Sequence, residues 1–392
     1  MLRLNVAMVG ERAVGKTVFL ASLFERLGKE YRGDPDRSLY VWTEMEATNF
    51  LAKTYGEIKN PTLDWPFSTR RGETREFVFV LYGRSANGAD YPLFEIGYMD
   101  YAGERGTGIK EDATPEQEYF KSYLKNADVL VGMLDGRRLL SLIRESPTAD
   151  VPLGPAGRQY VDGVLQPTLL VMLDNVVRCR VHFVISKWDL LADAGITLDR
   201  VLSRLSAIAD FRRLATMSQR YSLGSIRVIP VSSVGRNFTQ LYEGEMKKIP
   251  NGELMPENVE IPFFVAFHDV YTLIRVEERS RLRLPNLRTT ARRMLSGAEA
   301  IIDQSIRETY ADADGAGRRR ELAIMLAKNS GYVVFSRALT GGQMPRRPRT
   351  LRQRRHEDRI SAYRLAAQQF KKGLEDFERE FPRAKLTQRE SR

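Results

Sequence analysis

Gly10-Glu11-Arg12-Ala13-Val14-Gly15-Lys16-Thr17 fits the spacing G-x-x-x-x-G-K-[ST], a phosphate-cradling loop. Leu4–Val9 ahead of it is a short apolar run, read as a core strand. Behind it Thr17–Lys29 repeats apolar residues at Val18, Phe19, Leu23, Phe24 and Leu27, a helical spacing. A strand running through a glycine-bounded turn into a helix is the context the motif requires. The glycines let the backbone aim N–H groups of Ala13, Val14, Gly15 and Val18 at phosphate oxygens. The start of the helix adds its positive dipole end. Lys16 is expected to bridge terminal phosphates, and Thr17 to offer its hydroxyl to Mg²⁺.

Outward from the loop, strand-like and helix-like stretches alternate. Strands are expected at Arg75–Tyr82, Pro92–Tyr98, Val129–Leu134, Val181–Ile185 and Arg227–Val231, and helices at Glu116–Asn126, Tyr160–Val177, Leu198–Tyr221 and Pro262–Arg275. Such alternation implies an α/β fold, a mostly parallel sheet with helices on both faces. The hairpin signal Asn87-Gly88 between the second and third strands adds one antiparallel edge strand. Two long insertions interrupt the pattern. Tyr31–Glu73 holds an amphipathic stretch at Met45–Ile58, and Ser146–Arg158 is rich in Pro, Gly and Ala and reads as a surface loop.

Three further signals stand at strand ends, in chain order. Asp100-Tyr-Ala-Gly103-Glu104 follows the third strand as D-x-x-G. Ser186-Lys187-Trp188-Asp189 follows the fifth, and Val231-Ser232-Ser233-Val234 the sixth. In this order the four motifs resemble those of the Ras-like and translation-factor GTPases, over roughly residues 3–277. The resemblance implies a P-loop GTPase fold with GTP and Mg²⁺ as ligands. Asp100 would hold Mg²⁺ through water, and the Gly103 N–H would sense the γ-phosphate. Lys187 would lie over the base and Asp189 would accept two hydrogen bonds from guanine. Ser232 and Ser233 would line the base site. Ser186 stands where the family usually has Asn or Thr. Thr62, Thr69 and Thr74 compete for the first-switch threonine, and Thr69 is the choice as a metal ligand. Glu104 takes the place of the usual water-orienting Gln, which with Lys16 makes the expected catalytic pair and implies slow intrinsic hydrolysis. Arg105 could pair with Glu104 or act in cis. The long insert with Trp65-Pro66, the D-x-x-G-E and the helical tail also resemble bacterial double-GTPase proteins of conflict systems. Two other classes stand beside a switch GTPase: a module that binds GTP without hydrolysing it, and a P-loop ATPase.

The 392 residues are 43% hydrophobic and 28% charged, enough for a sizeable core. No apolar run approaches the ~20 residues that span a bilayer. The single cysteine excludes an internal disulfide framework, and a cytoplasmic location is the expectation. The net charge of +11 lies in the C-terminal third: from Arg281 onward 26 Lys and Arg face 13 Asp and Glu. The chain is therefore divided into a nucleotide-binding domain, 1–280, and a basic helical C-terminal extension, 281–392, with helices at Leu287–Tyr310, Arg318–Lys328 and His356–Phe381. Three roles are open to that extension: a solvated appendage, docking on a protein effector, an activating partner or the first domain, and contact with anionic lipid or nucleic acid through Arg346, Arg347, Arg349, Arg352, Arg354 and Arg355.

Overall fold

The computed structural model describes residues 2–28, 39–66, 74–101, 115–148, 150–220, 226–269 and 351–386. Its strands are β1 (Leu2–Val9), β2 (Leu39–Trp42), β3 (Thr74–Arg84), β4 (Asp90–Tyr101), β5 (Val129–Asp135), β6 (Arg180–Ser186), β7 (Val228–Pro230), β8 (Thr239–Tyr242) and β9 (Glu245–Lys248). Its helices are α1 (Lys16–Leu27), α2 (Met45–Lys59), α3 (Pro115–Lys125), α4 (Gly136–Glu145), α5 (Pro155–Tyr160), α6 (Gln166–Asn175), α7 (Trp188–Asp193), α8 (Leu198–Ser206), α9 (Ala209–Arg220), α10 (261–269) and α11 (Leu351–Glu380). One π-helical turn, Val161–Leu165, joins α5 to α6.

Seven strands form one sheet in the order β2-β3-β4-β1-β5-β6-β7. β1 pairs in parallel with β4 and β5, and the parallel run continues through β6 to β7. β3 alone runs against the rest, as the Asn87-Gly88 hairpin requires. It lies one place in from the edge, because β2 pairs antiparallel outside it. β2 was not expected. It is only four residues long and lies inside the first insertion, where it carries no turn signature of its own.

From β1 the connections run first toward β4, then back across to β5 and outward. Right-handed crossovers in opposite directions put helices on opposite faces. The packing agrees. On one face Phe79 of β3 stacks on Phe24 of α1 and meets Tyr98 of β4 edge-on. On the other, the Tyr123 hydroxyl of α3 donates to the Gly97 carbonyl at 2.8 Å, and Phe183 of β6 packs on Phe211 of α9. The carboxyl end of β1 lies at the point where the strand order reverses, which is where α/β sheets bind ligands.

The C-terminal helix is part of this body. Ile360, Tyr363, Phe370, Leu374 and Phe377 of α11 are buried at helical spacing. Phe370 stacks on Phe267 of α10 at 4.2 Å and meets Phe264 edge-on at 5.0 Å, while Phe94 of β4 meets Phe267 and Tyr363. Gly373 permits the approach, since a Cβ there would stand 2.7 Å from the Phe264 ring. Past the helix the chain pairs with the β7 edge: Val228 N–H donates to Ala384 at 2.8 Å and Leu386 N–H to Ile226 at 2.9 Å. The expected helix His356–Phe381 is thus α11. The boundary at 280/281, the expected helices Leu287–Tyr310 and Arg318–Lys328, and Arg346, Arg347 and Arg349 lie outside the described residues.

Other differences are local. Leu198–Tyr221 is two helices, α8 and α9, with a break at Ala207 and Ile208. The surface loop ends earlier than expected, because Pro155 starts α5 from its first turn. The polar stretch after Gly235 folds into the β8–β9 hairpin, whose two turn residues Glu243 and Gly244 both have positive φ, the twist a tight hairpin selects. Among the described residues no helix is long and apolar enough to cross a membrane.

Candidate functional site

The loop from Gly10 to Thr17 joins β1 to α1 at the carboxyl end of the central strand. Ala13 and Gly15 have φ of 62° and 102°, left-handed conformations that curl the backbone ahead of α1. Gly10 is needed for space: a Cβ would stand 2.7 Å from the Met133 carbonyl oxygen and 3.4 Å from Val14. Lys16 opens α1 and is nearly buried. Its Nζ donates to the carbonyls of Gly10 and Glu11, both at 3.1 Å. The ammonium is thus held against the loop by two backbone oxygens. Thr17 follows in the first turn of α1. The Asp100 backbone in β4 is paired with Met8 of β1, so the D-x-x-G segment starts beside the phosphate loop. Thr69, Gly103, Glu104 and Arg105 lie outside the described residues. Thr62 is exposed and bonded to Asn60 in a local turn, and Thr74 opens β3.

Lys187 joins the two halves of the site. Its backbone is left-handed, φ 53°, at the start of α7. Its Nζ donates to the Ala13 carbonyl at 3.1 Å and to Asp135 Oδ2 at 2.6 Å. The long stem therefore runs from the β6 loop to the phosphate loop. Asp135 was not anticipated from the sequence. It ends β5 at 3% exposure, and its other oxygen caps α4 through the Arg137 N–H. The available signal was an acidic residue closing a central apolar strand just before a glycine. Gly136 is obligatory there, with a Cβ placed 2.4 Å from the Ser186 carbonyl oxygen. Glu11 adds a second carboxyl behind the loop, 3.8 Å from Arg138. Burial, and then the nearby Asp135, push its pKa up.

Asp189 is 1% exposed. Its Oδ1 accepts the Ser232 hydroxyl at 2.6 Å and its Oδ2 the Thr239 hydroxyl at 3.2 Å. Burial raises its pKa, and the two hydroxyls work against that rise. Ser232 is itself oriented: the Gly235 N–H donates to its oxygen at 2.8 Å, leaving the hydroxyl proton for Asp189. Gly235 must be glycine, since its φ is 83° and a Cβ would meet the Met255 carbonyl oxygen at 2.0 Å. The next residue, Ser233, is tied to α1 by the Ser22 hydroxyl, which donates to its carbonyl at 2.7 Å. Ser186 is turned away, its buried hydroxyl donating to the Leu134 carbonyl at 3.1 Å. Lys16, Lys187, Asp189, Ser232 and Ser233 thus stand around one end of the sheet.

No family model matches the chain, and no curated protein matches it. Among solved structures it is similar to the FeoB G-domain from Methanococcus jannaschii, at 14% identity over 59% of this chain and 88% of that one, with a TM-score of 0.26. It is also similar to a point variant of Aquifex aeolicus Era bound to GDP·AlF4⁻, at 15% identity over 59% of this chain and about half (52%) of that one, with a TM-score of 0.24.

Proposed function

We propose that this chain is a GTP-binding switch that hydrolyses GTP to GDP and phosphate, slowly on its own. The observation that supports it most is Lys187, which ties the loop holding Asp189 to the Ala13 carbonyl of the phosphate loop. One residue then addresses both ends of a single nucleotide. Lys16 would exchange its two carbonyl partners for phosphate oxygens. Asp189, kept as an acceptor by its two hydroxyl donors, would select guanine, whose N1–H and 2-amino group form a donor pair that adenine lacks. Thr17 and Asp100, with Thr69, are a hard-oxygen set suited to Mg²⁺, which when bound would neutralise charge between the terminal phosphates. Gly103 would report the γ-phosphate and Glu104 would hold the attacking water. The Trp65-Pro66 insertion and the D-x-x-G-E are the basis for placing such a switch in a bacterial conflict system. Protection from phage that survives Lys16→Met would count against that placement.

The direct test is affinity for GTP, GDP and ATP in Mg²⁺, for wild type and Asp189→Asn. A bidentate charge-assisted contact is worth about 2–4 kcal/mol, so the substitution should weaken GTP binding roughly 30- to 1,000-fold. Equal binding of ATP by the wild type would remove the guanine reading.

A further inference from the structure

Thr239 belongs to no motif, yet it is the second hydroxyl on Asp189. It is 5% exposed and stands first in β8. The hairpin that carries it is fastened at three places. Arg137 of α4 donates to the Gly244 carbonyl at the turn, at 2.8 Å. The indole Nε1 of Trp65 donates to the Met246 carbonyl, also at 2.8 Å. Lys248 Nζ donates to the carbonyls of Glu57, Asn60 and Leu63 at 2.6, 2.9 and 2.9 Å, with the Trp65 ring beside it. Thr239 is thus held in place by a built element.

A carboxylate offers about four lone-pair sites, two on each oxygen. Ser232 and Thr239 take one on each, and the backbone N–H of Asp189 adds a further hydrogen bond to its own carboxylate. The carboxylate can no longer rotate without breaking a hydrogen bond. Two parallel acceptors in a fixed plane are what a base with two adjacent donors requires.

We propose that Thr239 is a specificity-determining residue that, with Ser232, clamps the Asp189 carboxylate in the plane that reads the two donors of guanine. This rests on the guanine reading above. Without the Thr239 hydroxyl the carboxylate loses one of its restraints and its plane is less well fixed, so the second donor of the base meets a misaligned partner. The 2-amino group is the donor that inosine lacks. Discrimination of GDP over IDP is therefore the sensitive quantity, more than affinity alone.

The experiment measures GDP, IDP and ADP affinities for wild type, Thr239→Val, Thr239→Ser and Asp189→Asn, with melting temperature as a check on folding. The expected result is that Thr239→Val lowers the GDP-to-IDP preference about tenfold, the worth of one hydrogen bond to a charged group. Thr239→Ser restores it. If Val is not accommodated, Thr239→Ala is scored the same way. A Thr239→Val protein that keeps the wild-type preference, while Asp189→Asn loses it, would overturn the proposal and leave Thr239 as a satisfied core hydroxyl. Absence of any GDP preference over ADP in the wild type would instead remove the base site, and this proposal with it.

Discussion

At the scale of single residues, the site depends on lysines that tie separate segments together. Lys16 holds two carbonyls and Lys187 a carbonyl and a carboxylate. Replacing Lys16 by Met should remove two charge-assisted contacts to phosphate. At about 1.5–3 kcal/mol each, triphosphate affinity should fall by roughly 10²-fold or more, as titration with a fluorescent GTP analogue would report. Lys187→Met has a second effect, since it leaves buried Asp135 without its cation. It should lower the melting temperature as well as the affinity, whereas Lys16→Met should spare the fold. Glu104 belongs here too: single-turnover hydrolysis unchanged in Glu104→Ala would take it out of the mechanism. The motif residues were legible in the sequence because a glycine pattern fixes backbone shape wherever it occurs. Asp135 and Thr239 were not, because each matters only through a distant partner, Lys187 at 52 residues and Asp189 at 50.

At the scale of elements, most strands and helices were read from periodicity, and the failures have physical causes. A four-residue edge strand such as β2 carries too little pattern to register. The β8–β9 hairpin is polar because it lies on the outside, so it looks irregular as text. That hairpin connects Asp189 at one end with the 57–66 turn at the other. β8 is the strand in contact with Asp189, and β9 carries the contacts to Trp65 and Lys248. Trp65 should therefore sense the base. In a Trp42→Phe, Trp188→Phe background, GDP should shift the emission of Trp65, and Lys248→Met should abolish that response. An unchanged spectrum at saturating GDP would show that hairpin and turn stay fixed. Burial pushes the pKa of Lys248 down, so its anchoring role depends on the carbonyl cage that surrounds it.

At the scale of the molecule, a buried charge cluster joins the sheet to α10 and α11. Asp269 of α10 accepts from His182 at 2.8 Å and from Arg227 at 3.2 Å, with Arg180 at 3.5 Å. Arg227 also reaches Glu378 of α11 at 3.2 Å. Burial acts to raise the Asp269 pKa, but the hydrogen bonds from His182 and His268 and the charge of Arg180 outweigh it and hold it well below the usual range. Removing that carboxylate strands the buried Arg180 guanidinium and leaves Arg227 with Glu378 alone, so Asp269→Ala should cost about 3–5 kcal/mol, measurable by urea unfolding. His182 takes the Arg227 N–H on Nδ1 at 3.1 Å, so it is neutral with its proton on Nε2. Burial lowers its pKa. Below about pH 6.5 the unfolded chain binds a proton that the folded one refuses, and stability falls as pH drops. In His182→Gln that part of the decline should vanish from a series of melting curves taken across about pH 5 to 7. Nothing in one chain of letters brings His182 to position 269.

The position of α11 has a consequence for continuity of the chain. Among the described residues, α11 is held to the rest by Phe370, Glu378 and the pairing at Ala384 and Leu386. None of those contacts needs the covalent path between residues 269 and 351. A protease recognition sequence placed in that interval and cut after folding should give two bands on a denaturing gel and one particle on a sizing column. Phe370→Ala, which removes about 3–5 kcal/mol of packing, should let the shorter piece dissociate. The C-terminal helix would then be a subunit in all but its synthesis, one that could be supplied from a separate polypeptide.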